Sequence, residues 1–264
     1  MQHQPVILAI ETTGPLASVA LSGVQGPVEG ASRTEEGILE LVNQTHYSHL
    51  EEIAPMVKEI LQTAGLKGED LDAIAVSRGP GSFTGIRIGM ATAKAFAQIW
   101  QQPVICVPTL ASFAYMQSSE AGWEELSPGA DPLICPLFDA RRSQVYAGVY
   151  QPGSKEPLLA DGAYDVPDYL EKLGALLAPG KTAVFFGDGS DAYRQALEDS
   201  GLPHVFAPQQ DKFQKACAVL KLAFELYAEG DLTDAYGAEP VYLRQAEAER
   251  KLKAGELGKK KAKP

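Results

Sequence analysis

The chain has 264 residues, 45% of them hydrophobic, with a formal net charge of −11 and an isoelectric point near 4.9. That length and apolar share suit one large domain or two of moderate size around a buried core. The acidic balance weighs against this chain as the main grip on nucleic acid, because phosphate binding relies on clustered Lys and Arg.

Residues 1–10, MQHQPVILAI, lack a basic n-region and an adequate apolar h-region. No apolar stretch approaches the roughly 18 residues of a bilayer span, so a soluble, cytoplasmic chain without membrane contact is expected. VILAIETTGPLASVALSG then reads as an apolar strand, Glu11, a polar turn and a second strand, and PVEGASRTE supplies a third. A helix is expected over 48–64, a strand over 71–77, a helix over 83–100 and a short strand over 104–107. PLICPLFDARRSQVYAGVYQPG repeats the scheme with Asp139, a polar turn, a strand at 144–150 and a third near 158–161. A helix at 166–177, a strand at 182–186, a helix at 190–200 and a closing helix at 214–229 complete the chain order.

A βββαβα order used twice predicts an α/β fold of two similar lobes with mixed sheets, the duplicated actin-like architecture. Residues 1–107 with about 212–246 make the first lobe, 108–211 the second, and 247–264 a basic flexible tail. That tail gathers Arg250, Lys251, Lys253, Lys259, Lys260, Lys261 and Lys263. Its composition does not support its own ordering, so a solvated tail is expected ahead of an RNA-touching arm. Cys106, Cys135 and Cys217 lie far apart and odd in number, which argues against a disulfide framework or a zinc knuckle.

Gly79, Gly81 and Gly85 come after the strand ending at Ser77 in a G-x-G-x-x-x-G spacing. This misses the dinucleotide fingerprint and has no Gly-Lys-Ser/Thr, so a tight joint capped by Ser82 is expected ahead of a phosphate cradle. The helix it launches has a narrow polar stripe of Arg87, Lys94 and Gln98 and is apolar nearly all round. The preceding helix carries an apolar arc about 160° wide, including Leu50, Ile53, Met56, Val57 and Ile60, against roughly 100° for a one-sided helix. Both helices are therefore expected to pack on their own lobe and on a second polypeptide, with cover by the second lobe as the alternative. Pro55 is expected to kink the first of them or mark its start.

His46, His49 and Glu52 have weak metal-ligand spacing and are read as a polar helix start, so no metal site is assigned. Glu11 and Asp139, at equivalent strand ends, are the obvious carboxylate pair for a cleft that holds metal–nucleotide. The loops that would touch a nucleotide or phosphate contain Glu11, Thr12, Thr13, Gly79, Gly81, Ser82, Asp139, Gly187 and Gly189. No catalytic set is complete; no cofactor is required, and weak nucleotide binding stays open. An actin-like small-molecule kinase or ATPase is the rival reading, and a metallopeptidase a weaker one.

SRGPGSFTGIRIG at 77–89, with ILAIETT, HLEEIAPMV, VPTLASF, FDARRSQVY and EPVYLR in that order around it, resembles the bacterial TsaB (YeaZ) family over nearly the whole chain. Two positions depart from the family's pattern, Glu11 where Asp is common and Gln144 where Glu is common. The resemblance implies a non-catalytic subunit in making threonylcarbamoyladenosine in tRNA, at the adenosine beside the anticodon. It implies a heterodimer with the catalytic paralogue TsaD, a homodimer when alone, the ATPase TsaE as a third protein, and tRNA met only indirectly. TsaD carries two metal-binding histidines where this chain has Thr109 and Phe113, and neither is an adequate ligand, which also removes the metallopeptidase. The implied partner surface is His49, Leu50, Ile53, Met56, Val57, Ile60, Ile86, Arg87, Met90 and Lys94.

Overall fold

Strand β1 (Ile7–Glu11) is buried along its whole length, which is why its sequence is a continuous apolar run rather than an alternating one. It pairs antiparallel with β2 (Ser18–Leu21) and parallel with β5 (Ala73–Ser77). With β3 (Ser32–Arg33), β4 (Leu39–Val42) and β6 (Val104–Val107) these form a six-stranded sheet in the order β3-β4-β2-β1-β5-β6. The second sheet contains β7 (Asp131–Asp139), β8 (Gln144–Val149), β9 (Leu159–Asp165), β10 (Lys181–Phe186) and β11 (His204–Phe206), in the order β11-β10-β7-β8-β9. Without β3 the two orders are the same: three antiparallel strands, then two parallel ones on the other side of the first. This is the duplicated actin-like α/β fold. The structure, a computed structural model, describes residues 4–24, 32–33, 37–43, 49–116 and 131–243. His46 and the 247–264 tail lie outside the described residues.

Helices α1 (His49–Ala64) and α2 (Phe83–Trp100) cover one face of the first sheet, and α4 (Val166–Leu176) with α6 (Arg194–Asp199) cover one face of the second. Between the sheets lie α3 (Thr109–Ser112), running into a 3-10 turn at Phe113–Tyr115, and α7 (Ala216–Glu229). The lobes exchange these helices: α7 comes after the second sheet but packs on β1, β2, β5 and β6. First-sheet side chains hold its start, with Ser18 Oγ accepting from Ala216 N at 2.9 Å and Glu40 Oε1 from Cys217 N at 2.8 Å. Phe113 is fully buried against Phe138 and Phe186, with ring centroids 5.7 and 5.5 Å away. Truncating such a ring costs about 3–5 kcal/mol, so this aromatic cluster is a principal joint between the lobes.

Several elements differ from expectation. The strand beside β2 is β4 and not the 27–35 segment, of which only 32–33 is described, as an edge strand on β4. The helix over 190–200 is two pieces, α5 (Gly189–Ala192) and α6, interrupted at Tyr193, whose hydroxyl is drawn 3.1 Å from Asp139 Oδ1. Pro55 sits inside α1, which begins at His49, so it does not mark the start.

The largest correction concerns α1 and α2. Ile53, Met56, Val57, Ile60, Ile86 and Met90 are buried within this chain, and so is His49. The two helices lie side by side on the sheet, so each buries one flank on strands and another on its neighbour. Two neighbours cover a wide arc without a companion protein. A third flank of α2 is covered by the chain's own segment 231–243, which pairs Thr233 with Val104 and buries Ala238 completely. The polar stripe receives this segment. Lys94 Nζ donates to Ala238 O at 3.0 Å, Gln98 Nε2 to Tyr236 Oη at 2.7 Å, and Arg87 Nε to Tyr242 Oη at 3.2 Å. Of the expected surface, Leu50 (75% exposed) and Arg87 remain open, with Lys94 half-buried. Phe83 and Ile99 (70% exposed) are also open on α2, and Tyr236 and Tyr242 on the segment beside it.

The start of α2 presses on the β1–β2 turn. A Cβ on Gly85 would stand 1.9 Å from Thr12 O, a backbone atom that cannot step aside cheaply. Gly85→Ala is expected to destabilise the fold by about 3 kcal/mol, the upper end for overpacking, in urea unfolding. Gly153→Ala, with open space but a left-handed backbone, is expected to cost only about 1 kcal/mol. Equal penalties for the two contradict the close approach.

Candidate functional site

The loops at the ends of the first strands of both sheets meet at an interlobe cavity of about 410 Å³, lined among others by Thr13, Gly81, Phe83, Asp139, Asp188 and Gln214. In the first lobe the acid does not face this cavity. Glu11 is fully buried, and its carboxylate accepts from Thr13 N and from the hydroxyls of Thr13 and Ser77. Burial pushes its carboxyl above the ordinary glutamate value, with the hydrogen bonds from Ser77 and Thr13 opposing the rise. Glu11 is thus turned inward as a tie between the turn and β5, and the expectation that it faces metal–nucleotide is corrected.

The same turn is held from several other elements. His49 Nε2 lies 2.8 Å from Gly14 O, Asn43 Oδ1 accepts from Ala17 N at 2.8 Å, and the Thr12 hydroxyl donates to Gly85 O at 2.8 Å. Gln214 Nε2 donates to Thr13 Oγ1 at 2.9 Å, and its side chain occupies the space above Gly14, where an added Cβ would meet it at 2.7 Å. A phosphate cradle needs uncommitted backbone amides. Here Ser82 N donates to Thr13 O at 2.9 Å, Gly85 N to Ser82 Oγ at 3.2 Å and Gly79 N to Thr109 Oγ1 at 3.0 Å. Gly79 holds a left-handed φ of 110°, with the carbonyl of Val241 where a side chain would be. Three amides of the glycine loop, those of Gly79, Ser82 and Gly85, thus serve the fold as a joint.

In the second lobe Asp139 Oδ1 accepts from Arg141 N at 2.8 Å and from the Tyr193 hydroxyl, and Oδ2 pairs with the Arg141 guanidinium at 3.0 Å. Asp139 N donates to Asp188 Oδ1 at 3.1 Å. These bonds hold the β7–β8 turn, where Arg141, Arg142 and Ser143 all adopt left-handed backbone, with φ of 63°, 59° and 61°. Such a run costs roughly 1–2 kcal/mol per residue and persists only because its surroundings over-determine it. In the GDGS loop Gly187 N donates to Lys212 O at 2.8 Å, and Lys212, itself buried, pairs with Asp191 at 2.5 Å. Gly189 packs against the backbone of Leu137.

Sequence reasoning therefore brings Thr13, Gly81, Ser82 and Asp139 together at one cavity, but Gln214, Lys212, Asn43 and Arg141 escape it. FQK at 213–215 and NQT at 43–45 carry no motif, and only the strand-end position of DARR points to Arg141. Thr109, where the resemblance places a metal-binding histidine, is fully buried and bonded to Gly79, and Phe113 lies in the aromatic cluster. Among the described residues no group of three or more His, Cys, Asp or Glu is placed to hold a metal ion. No helix there is long and apolar enough to cross a membrane.

Comparison with known proteins places these features. The family model described as "TsaD: tRNA N6-adenosine threonylcarbamoyltransferase" matches residues 41–252. The tRNA threonylcarbamoyladenosine biosynthesis protein TsaB of Bacillus subtilis is 32% identical, over 93% of this chain and 96% of its own. Its Escherichia coli namesake is also 32% identical, over 93% of this chain and 97% of its own. A crystal structure from Pseudomonas aeruginosa, described as similar to the peptidase YEAZ, superposes with a TM-score of 0.67 at 28% identity, over 91% of this chain and all of the other. With this identity to the two TsaB proteins and the fold agreeing over almost its whole length, the chain belongs to the TsaB family of tRNA threonylcarbamoyladenosine biosynthesis proteins.

Proposed function

We propose that this chain is a non-catalytic subunit of the assembly that moves threonylcarbamoyl from threonylcarbamoyl-adenylate to the adenosine beside the anticodon of tRNA. The observation that carries the reading is the use of Thr109 and Phe113, one as a hydrogen-bond acceptor for the glycine turn and the other as interlobe packing. Neither offers a ligand that would activate a substrate. The inward Glu11 supports the same reading, since it leaves the cavity without its first-lobe acid.

TsaD would supply the metal centre and hold most of the tRNA, TsaE would join the pair, and a homodimer would form in their absence. The chain's contribution is a rigid face that orients TsaD. On this fold the contact runs over the open side of α1 and α2, with Leu50, Phe83, Arg87 and Ile99 as anchors and the buried Val57 and Met90 as support beneath. Exposed aromatic, aliphatic and Arg anchors are the residues that carry most binding energy at such contacts.

Leu50→Asp combined with Ile99→Asp is expected to weaken both self-association and TsaD binding more than about tenfold in light scattering, with the melting temperature kept. Unchanged association places the contact elsewhere. The chain supplied with threonylcarbamoyl-adenylate and tRNA is expected to give no modified tRNA until TsaD is added. Product without TsaD overturns the non-catalytic reading.

Glu11 gives a separate check on the inward acid. Its raised folded-state pKa means that the protonated form favours folding, a contribution present below the unfolded value of about 4.3 and lost as pH rises through the folded one. Glu11→Gln removes this titration. Its stability relative to the natural chain is expected to be poorest near pH 4 and to improve toward neutrality in denaturant titrations. A difference that is flat or falls with pH contradicts a buried, desolvated Glu11.

A further inference from the structure

The interlobe cavity offers acceptors where a phosphate site would offer donors. Its charged lining consists of Asp139, Asp188 and Arg141, and the Arg141 guanidinium is paired with Asp139 at 3.0 Å. Among the described residues Asp188 has no ion pair, and Asp139 N donates to its Oδ1 at 3.1 Å. Desolvation holds the Asp188 carboxyl above the ordinary aspartate value, with the bond from Asp139 N opposing the rise and the Asp139 charge adding to it. A second acceptor belongs to Gln214, which lines the same cavity and is only 5% exposed. Its Nε2 is spent on Thr13 Oγ1, whose own proton goes to Glu11, so a reversed amide would set two acceptors against each other. Gln214 Oε1 is left buried without a partner, a costly arrangement for a polar atom. The amides that could hold an anion, those of Thr13 and Gly14, are turned to Glu11 instead. What the cavity lacks is a positive charge that brings donors.

We propose that this cavity is a site for an aliphatic amine, whose ammonium donates to Asp188 and to Gln214 Oε1 while its methylene chain lies along Phe138 and Phe213. An ammonium carries three donors and no acceptor, which matches two acceptors that the chain leaves uncompensated. The Phe138 and Phe213 rings give the stem an apolar wall, and about 410 Å³ falls in the range of small-molecule sites. Gln214 Oε1 is closed to bulk water, so its donor comes with an occupant pressed against the amide, which rocks slightly toward it. A metal ion fits less well, because among the described residues no three His, Cys, Asp or Glu are placed to hold one. The inference goes beyond the scaffold reading and does not depend on it.

The test is calorimetric titration of the full chain with spermidine, and separately with Nα-acetyllysine amide, at 50 mM salt. Spermidine is expected to saturate one site per chain. Asp188→Asn, which keeps the shape and an acceptor for Asp139 N, is expected to weaken it about tenfold or more. Asp199→Asn removes the same charge from the exposed end of α6 and is expected to change nothing. Equal weakening by both variants means that amines coat an acidic surface, and overturns the proposal. Saturation by the lysine derivative alone keeps the site and assigns the ammonium to a protein side chain. Heat with neither amine, or with magnesium chloride alone, overturns it. The side-chain amide signals of Gln214 in the 15N-labelled natural chain give a readout that needs no variant: they are expected to shift with spermidine, and unmoved signals at saturation place the amine elsewhere. Failure of the scaffold reading shows instead in the Leu50 and Ile99 variant, so the two outcomes separate.

Discussion

A carboxylate with no access to water sets the terms for this fold. Glu11 is accommodated only because Thr13 N and the hydroxyls of Thr13 and Ser77 all point at it. A typical hydrogen bond contributes about 0.5–1.5 kcal/mol, whereas a buried polar group stripped of its partners costs about 1–3 kcal/mol. The β1–β2 turn is therefore locked to β5, whose C-terminal end leads through the glycine joint into α2. Ser82 and Gly85 then dock on the same turn, so the acid positions the helix without touching it.

This lock redirects the use of an actin-like fold. A cleft that works on nucleotides keeps an acid and several amides turned toward the phosphates. Here the first-lobe acid faces away, Gln214 lies over Gly14, and Asp139 is engaged by Arg141 and Tyr193. Thr109 and Phe113, where the resemblance implies metal-binding histidines in the catalytic paralogue, serve here as a hydrogen-bonded threonine and a packed phenylalanine. With Glu11, Asp139 and Gln214 engaged within the chain, the open side of α1 and α2 is the face proposed above for partner contact.

Much of the architecture is legible in the amino-acid sequence because fully buried strands and their connecting helices leave continuous apolar runs, as in β1, β5 and β7. The duplication shows as one acid at the end of each first strand. The hidden features have specific causes. β4 is only four residues long and carries Glu40, whose role is to receive the N-terminus of α7 from far along the chain. The break at Tyr193 depends on a bond to Asp139 in another strand. Segment 231–243 has no period to read, so the wide apolar arcs of α1 and α2 point to an outside partner when sheet, sister helix and this segment cover most of them. The direction in which Glu11 points is set by three donors, one of them 66 residues away, and no local pattern encodes it.

We propose that the interlobe cavity takes no nucleotide, because Glu11 is turned into the fold and Asp139 is engaged by Arg141 and Tyr193. Calorimetric titration of the purified chain with magnesium ATP tests this directly. The account predicts no saturable heat up to millimolar nucleotide. Stoichiometric binding that disappears in Asp139→Ala would contradict it.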